Sequence, residues 1–290
     1  MAQRLKQDEW RRFELAHHLR VDAVTADHTG RRGSSRKHPV HDFLFTYYSH
    51  RPAQLRRWHP GPEVLLEAAS ERVDWKFYRY ADGAARLDLK AFLAARSDTT
   101  RFVRDLLSAT FGRPAHLGCF GLHEWAMVYR QTPEQVRHAD WPLRLGRKGT
   151  DEVVESNQIH CSHFDAYRFF TVGARPLNTL APTRDSQATM EQPGCLHANM
   201  DLYKWAYKLS PAIPSALTLS CFELAREVRE LDMRAAPYDL RTLDYEPVEI
   251  ETPEGKAMYV AAQRDFGTRA QSLRRRLIDA CDALLADTPA

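Results

Sequence analysis

The sequence predicts a mainly helical fold of the α+β class: a single helical domain over residues 1–290, with small antiparallel β-hairpin additions. In several long segments, apolar residues recur at the three- and four-residue spacing of amphipathic helices. Two other segments carry paired β-rich runs around short turns. The composition, 43% hydrophobic and 27% charged residues, is that of a globular protein with enough chain for a large core.

The first quarter of the chain predicts helices separated by one basic loop. Residues 7–25 place their apolar side chains roughly on one side, which indicates a helix. Small residues, two glycines and four positive charges make residues 28–38 a loop. Pro39 can then open a helix at its first position, and Pro52 begins a further short segment.

The next part of the chain predicts a hairpin and two helices. Residues 75–89 contain two β-rich runs on either side of Asp82 and Gly83, a strong two-residue turn signal. Helices are expected over residues 89–97 and 100–111.

The second half of the chain predicts further helices and a second hairpin. Residues 132–135 form a capping-box start with proline at the first helical position. Residues 217–231 carry a clear apolar stripe and predict an amphipathic helix. Residues 248–251 and 257–260 suggest a hairpin. Residues 273–284 give a closing helix with a basic face.

The composition also indicates the cellular compartment of the protein. No apolar run approaches the roughly 20 residues of a membrane span, and the polar N-terminus does not read as a signal peptide. Five cysteines without a close Cys-x-x-Cys pair argue against a disulfide framework and for a reducing compartment. We therefore expect a cytoplasmic protein without a membrane partner.

The charge distribution is uneven. Net charge is +3, yet residues 1–62 carry 12 Lys+Arg against 6 Asp+Glu, while the remainder carries 29 against 32. A basic front favours an anionic partner such as duplex DNA, and a solvated basic face is the alternative. The candidate nucleic-acid-binding residues are Arg31, Arg32, Arg36, Lys37, Arg56 and Arg57.

Three short segments place a cysteine beside a histidine, at residues 119–123, 160–163 and 195–197. Thiolate and imidazole are the softest side-chain donors, so this clustering favours a transition-metal site for Zn, Fe or Mn with open positions for water. In a helical 160–170 segment, two histidines would share a face. The candidate ligands are His123, His160, His163 and His197, with Asp201 and Glu124 as carboxylates. The alternative is that each histidine forms only local hydrogen bonds.

The same segments also hold carboxylates among aromatic residues. Excision of a DNA base needs aromatic faces on which a flipped base stacks, and a carboxylate that activates water; it needs no cofactor. The candidate catalytic residues are Glu124, Asp165 and Asp201, and the candidate stacking residues are Trp125, Tyr167 and Trp205. Packing of these aromatics in the core is the alternative. Gly-rich phosphate loops and the Gly-x-Ser-x-Gly elbow do not occur.

Five motifs resemble one bacterial protein family. They read HPVHDFLFTYY at 38–48, RPAQLRRWHPG at 51–61, GLHEWAMVY at 121–129, SNQIHCSHFD at 156–165 and DLYKW at 201–205. Members of the family that these motifs resemble are commonly labelled 3-methyladenine DNA glycosylase. The resemblance implies hydrolysis of the N-glycosidic bond of alkylated purines in damaged duplex DNA, the first step of base-excision repair. It transfers no catalytic residue by position, since the chain lacks the glycine-containing hairpin of helix-hairpin-helix glycosylases.

Three functional hypotheses follow. The first is a glycosylase that releases 3-methyladenine from damaged DNA. The second is a metal-dependent enzyme that uses the His/Asp/Glu residues on a small-molecule substrate other than DNA. The third is a non-catalytic nucleic-acid-binding protein, whose affinity for duplex DNA would fall steeply with salt.

Overall fold

The computed structural model describes residues 3–31, 37–136 and 140–286. Helix accounts for 58% of it and strand for 7%, so the predicted mainly helical class with small β additions is confirmed. The strands are β1 (Gln3–Leu5), β2 (Val64–Glu67), β3 (Tyr78–Ala81) and β4 (Ala84–Leu87). The α-helices are α1 (Gln7–Gly30), α2 (Phe43–Tyr47), α3 (Pro52–Leu55), α4 (Leu89–Phe111), α5 (Leu122–Ala126), α6 (Gly146–Ser156), α7 (Phe164–Tyr167), α8 (Gln187–Met190), α9 (Leu196–Lys208), α10 (Ser215–Arg234) and α11 (Pro253–Ala286).

The chain forms two compact units. The first unit comprises Met1–Ser108, Leu202–Glu223 and Leu273–Ala290, and the second comprises Ala109–Asp201 and Leu224–Ser272. Helices α4, α9, α10 and α11 contribute residues to both. The candidate active site lies wholly in the second unit.

The first unit contains the small sheet, with strand order β1-β2-β4-β3. Strand β1 pairs parallel with β2, whereas β4 pairs antiparallel with both β2 and β3. The predicted hairpin is confirmed as β3 and β4, and Asp82 and Gly83 both have positive φ, 53° and 73°. This is the backbone that a two-residue type I′ turn requires, because its twist matches that of the flanking strands.

An aromatic cluster packs under the sheet of the first unit. Trp10 of α1 is fully buried, and its indole Nε1 donates a hydrogen bond to the Glu67 carbonyl at 2.9 Å. Arg72 is buried too, where it pairs with Glu14 and lies 3.9 Å from the Trp75 ring centre. The buried guanidinium is thus both charge-paired and stacked, which offsets its desolvation.

The predicted break between two helices near residue 98 is wrong, because α4 is continuous there. The sequence predicts two helices over 89–97 and 100–111, but the structure has one, Leu89–Phe111. Thr100 at the expected break is fully buried, and its hydroxyl donates to the Arg96 carbonyl at 2.9 Å. The threonine satisfies its own hydroxyl within the helix, so the polar stretch does not interrupt it.

The second predicted hairpin is wrong, because helix α11 occupies part of that segment. Instead of strands over 248–251 and 257–260, the chain begins a helix at Pro253. The Thr252 hydroxyl accepts a hydrogen bond from the Gly255 N–H at 3.0 Å, which caps the first turn. Tyr259 and Gln263, one turn apart, are both fully buried, so helical burial prevails over the β propensity of this short apolar run.

The second unit combines short helices with ordered loops. Trp125 of α5 is fully buried and donates from Nε1 to the Ala235 carbonyl at 2.8 Å, which ties α5 to the end of α10. Residues 132–135 keep the predicted capping box but continue only as a 3-10 turn. Among the described residues, no helix has the length and apolarity needed to cross a membrane.

Candidate active site

The second unit encloses a cluster of buried histidines and carboxylates. Its members come from α5, from the loops around α7 and α8, from α9 and from α10. The cluster consists of His123, Glu124, His163, Glu191, His197, Asp201 and Asp232, all of them buried.

One half of the cluster holds three possible metal ligands. His163 Nε2 lies 3.4 Å from Glu191 Oε1 and 3.3 Å from Asp201 Oδ2. Bonds of 2.0–2.1 Å to a single tetrahedral ion would separate two ligand atoms by about 3.3 Å. The possible ligand atoms of these three residues lie within 4.8 Å of one another, and we name the residues the His163 group.

The His163 imidazole meets these two carboxylates only at 3.3–3.4 Å. Neither of its ring nitrogens has a hydrogen-bond partner of good geometry within the described parts of the chain. Burial opposes protonation of the ring, but Asp201 and Glu191 outweigh it and raise the pKa of His163 to about 9. The ring thus lies in a strongly negative environment that suits a cation.

Outer contacts hold the Glu191 carboxylate in position. Gln187 of α8 donates from Nε2 to Glu191 Oε1 at 2.5 Å. Arg113 donates to the backbone carbonyl of Glu191 at 2.8 Å. Support of this kind is typical of metal-binding carboxylates, whose orientation depends on their outer hydrogen bonds.

The other half of the cluster is a hydrogen-bonded relay. His123 Nε2 donates to Asp232 Oδ1 at 2.7 Å, and its Nδ1 lies 3.4 Å from the Cys119 sulfur. Burial disfavours the charged ring, yet Asp232 and Cys119 raise the pKa of His123 well above its ordinary value. We name Cys119, His123 and Asp232 the Cys119 relay.

A buried arginine balances the relay. Arg229 of α10 donates from Nη1 to Glu124 Oε1 at 2.8 Å and to Asp232 Oδ2 at 3.1 Å. Although burial would raise it, the pKa of Asp232 is lowered, by His123 above all. The carboxylate therefore stays ionised and holds the His123 ring in place.

His197 lies between the two halves. Its ring centre is 4.5 Å from that of His123 and 5.3 Å from that of His163. Burial, reinforced by His123, lowers the pKa of His197 well below its ordinary value. His197, His123 and Asp232 also have ligand atoms within 4.8 Å of one another. The 2.7 Å His123–Asp232 contact, however, is a hydrogen-bond distance and not the spacing of two ligands on one tetrahedral ion.

The structure brings together most of the predicted metal ligands. His123, His163, His197 and Asp201 all lie in the cluster, as does Glu124 through Arg229. His160 does not: residues 160–163 are not helical, and the His160 ring is exposed, with Nδ1 2.7 Å from the Thr179 hydroxyl. The shared helical face expected for His160 and His163 is therefore wrong.

Asn178 explains why this segment is not helical. Its side chain accepts from the Cys161 N–H at 2.7 Å and donates to the Cys161 carbonyl at 2.9 Å. These bonds replace the backbone bonds that a helix would have made.

The other proposed catalytic and stacking residues lie in varied surroundings. Asp165 pairs with Arg168 at 3.1 Å, near the surface. Trp125 is fully buried, and Tyr167 contacts Phe170 with ring centres 5.1 Å apart. Trp205 belongs to the first unit, where its ring centre lies 5.6 Å from that of Phe102.

The basic residues near the front of the chain belong to the first unit. Arg31 pairs with Asp42 at 2.9 Å and Arg56 with Asp22 at 2.8 Å, so both already have carboxylate partners. Lys37 is exposed, and Arg57 lies 5.6 Å from the ring centre of Trp75. Arg32 and Arg36 lie outside the described residues.

Sequence reasoning missed Glu191, Arg229 and Asp232. For Asp232 a signal existed, because it lies four residues after Val228 on the apolar stripe of the predicted helix, where a charge needs a buried partner. Glu191 follows the four-residue helix α8 and precedes a loop, where no periodic pattern marks it.

Comparison of the chain with models of protein families, with curated proteins and with solved structures finds no match. The functional interpretation therefore depends on the geometry of the site.

Proposed function

We propose that this chain is a metal-dependent hydrolase whose divalent ion is bound by His163, Glu191 and Asp201. The supporting observation is a buried imidazole without a good hydrogen bond among the described residues, 3.3–3.4 Å from two carboxylate oxygens. A buried imidazole without a well-directed hydrogen bond is costly, and an ion bound to its nitrogen would satisfy it. One nitrogen and two oxygen donors suit Zn²⁺, Fe²⁺ or Mn²⁺.

Three protein ligands would leave a coordination position for water. A divalent ion held there would supply Lewis-acid chemistry, lowering the pKa of a bound water towards neutrality. The protein's own contribution is to orient the ligands, through Gln187 and the backbone bond from Arg113, and to exclude bulk water by burial.

The substrate class implied by the sequence resemblance is the N-glycosidic bond of alkylated purines, and damaged duplex DNA is the partner it implies. This stays a prediction. Of the three carboxylates expected to activate water, Glu124 and Asp201 are buried in the cluster, and Asp165 is near the surface. A cytoplasmic location is part of the same proposal, supported by five free cysteines.

Metal content tests the proposal directly. Untagged protein would be stripped with a chelator, incubated separately with Zn²⁺, Mn²⁺ and anaerobic Fe²⁺, and analysed by plasma mass spectrometry. We expect close to one ion per chain for at least one metal. We expect His163→Gln and Asp201→Asn to weaken binding at least tenfold, as loss of a ligand should.

His160→Gln is the matched control. It removes an exposed histidine three residues from His163 and should bind metal like the natural chain. Circular dichroism would establish that each variant is folded. If the natural chain binds no metal at micromolar concentration, or if folded His163→Gln binds as well as His160→Gln, the proposal is wrong.

The substrate class is tested separately. Metal-loaded protein would be incubated with methylated duplex DNA, and free 3-methyladenine would be measured by chromatography. Release that disappears in Asp201→Asn would support the glycosylase prediction. No release by protein that carries its ion would refute glycosylase activity while leaving the metal site intact.

A further inference from the structure

In the Cys119 relay, a thiol contacts an imidazole, and the imidazole contacts a carboxylate. This is the order of a nucleophile, its base and the group that orients the base. The Cys119 sulfur is 3.4 Å from His123 Nδ1, and His123 Nε2 donates to Asp232 Oδ1 at 2.7 Å. Thiol, imidazole and carboxylate in this sequence of contacts are the constellation used for covalent catalysis on unrelated folds. The two contacts belong to the second unit and do not involve the His163 group.

Cys119 differs from the other cysteines of the site. Cys119 is partly exposed, whereas Cys161 is buried and its sulfur lies 3.7 Å from the His163 carbonyl. Cys195 is also partly exposed, but burial of its thiol raises the pKa well above the ordinary value. Of these three cysteines, Cys119 combines partial exposure with an imidazole nitrogen 3.4 Å from its sulfur, the setting in which a thiol reacts.

The backbone after Cys119 is in a rare conformation. Phe120 and Gly121 have φ of +48° and +73°, and a left-handed phenylalanine is costly. At Gly121 a Cβ would lie 3.3 Å from the Tyr259 ring and 3.4 Å from Ala235. Two consecutive left-handed residues turn the chain sharply into α5, so that Cys119 reaches His123.

The Tyr259 hydroxyl lies beside this turn. The Tyr259 oxygen is 3.6 Å from the position a Cβ would take at Gly121, and it has no hydrogen-bond partner in the described part of the chain. Tyr259 is fully buried, which raises the pKa of its hydroxyl well above the ordinary value, so it remains a donor. A buried, preoriented O–H is what an oxyanion needs.

We propose that Cys119 is the nucleophile of an acyl-transfer reaction on a carbonyl substrate, an ester, thioester or activated amide. His123 is the base, Asp232 the positioning residue and Tyr259 the oxyanion donor. This activity goes beyond the metal-dependent function and does not require the ion.

The steps balance without a cofactor. The reaction starts from the neutral His123 ring, in which Nε2 carries the proton and Nδ1 can accept one. The Cys119 thiol proton passes to His123 Nδ1, and the sulfur forms a bond to the carbonyl carbon while the oxyanion accepts from the Tyr259 hydroxyl. The bond to the leaving group then breaks, and the leaving group takes the proton from His123. Water, deprotonated by His123, attacks the thioester, which releases the acid and returns the proton to Cys119 sulfur.

The test uses p-nitrophenyl acetate with the full chain after chelator treatment, so failure to bind metal has no bearing on it. We expect a burst of nitrophenol and one acetyl group on Cys119, located by peptide mass spectrometry. Cys119→Ala, which removes the nucleophile, should lose the acetyl group and the burst. Cys195→Ala, the matched control, should behave like the natural chain.

Two further variants separate chemistry from structure. Tyr259→Phe keeps the buried ring, and we expect it to slow acetylation at least tenfold, as loss of one oxyanion donor does. Asp232→Asn should lower the acetylation rate at saturating ester with KM unchanged, which a merely structural role would not produce. Thermal melting would confirm folding of each variant.

Acetylation spread over several cysteines, an unchanged burst in Cys119→Ala, or Tyr259→Phe as fast as the natural chain would each overturn the proposal. Acetylation confined to Cys119 that depends on Tyr259 would support it.

Discussion

Replacement of Arg229 tests how the buried charges of the second unit are balanced. Arg229 donates to Glu124 at 2.8 Å and to Asp232 at 3.1 Å, and all three side chains are buried. Arg229→Met keeps the length and much of the packing of the side chain but removes the charge. Two carboxylates are then left in the interior without their shared cation.

The magnitude follows from these contacts. Loss of one partner from a buried ion pair costs about 3–5 kcal/mol, because the remaining charge stays desolvated. The two pairs share one guanidinium, so their costs do not add, and we expect about 3–5 kcal/mol in total. The free energy of unfolding of a whole protein is only about 5–15 kcal/mol, so this single change could remove most of the stability of the chain.

The assay is urea unfolding of the metal-stripped protein, monitored by circular dichroism. Hydrogen exchange of peptides from residues 224–272 shows whether the loss of stability lies in the second unit. Lys148→Gln is the control: Lys148 is exposed, its pair with Glu152 at 3.7 Å lies on α6, and its loss should cost less than about 0.5 kcal/mol. Glu124→Gln added to Arg229→Met should recover about 1 kcal/mol or more, because it removes one uncompensated charge. An Arg229→Met cost no larger than that of Lys148→Gln would refute the reasoning.

Two further predictions concern backbone space and pH. A Cβ at Gly255 would lie 2.0 Å from the Glu249 carbonyl oxygen, so Gly255→Ala should destabilise the chain by about 3 kcal/mol in urea unfolding, while Gly30→Ala, with nothing within 4 Å, should leave stability unchanged or slightly raised. Burial, aided by Arg57, lowers the pKa of His50 to about 4. Below pH 6.5 the unfolded chain therefore binds a proton that the folded chain excludes, so stability falls by about 3 kcal/mol as pH falls from 6.5 to 4. His50→Asn should remove that part of the pH dependence, and an unchanged pH profile of the unfolding free energy would contradict the assignment.

The fold was partly predictable because some signals are local. Positive φ at Asp82 and Gly83 follows from the chemistry of a two-residue turn, and the apolar stripe of α10 follows from helical periodicity. The second hairpin failed because a four-residue apolar run has no unique period. In the structure, Thr252 caps a helix that begins at Pro253, so the residues expected to form the turn start α11 instead.

The candidate site was predictable in its residue types but not in its pairing. Cysteine and histidine clustering marked the segments that contain His123, His163 and His197, and these segments do converge in the second unit. Their partners could not be found in the same way, because Asp232 is 109 residues from His123 along the chain. His160 shows the reverse case, since its spacing from His163 suggested a shared face that the extended backbone does not provide.

The sequence by itself determined the helical class, the first hairpin and the segments rich in metal and nucleophile chemistry, because periodicity, turn residues and composition act over a few neighbouring positions. Only the tertiary structure decided which histidine faces two carboxylates and which faces a thiol and an aspartate. Those choices depend on distances of about 3 Å between residues far apart in the chain, and burial then sets the charge of each group. The local sequence pattern does not specify the distances between remote residues or the degree to which each charged group is removed from water.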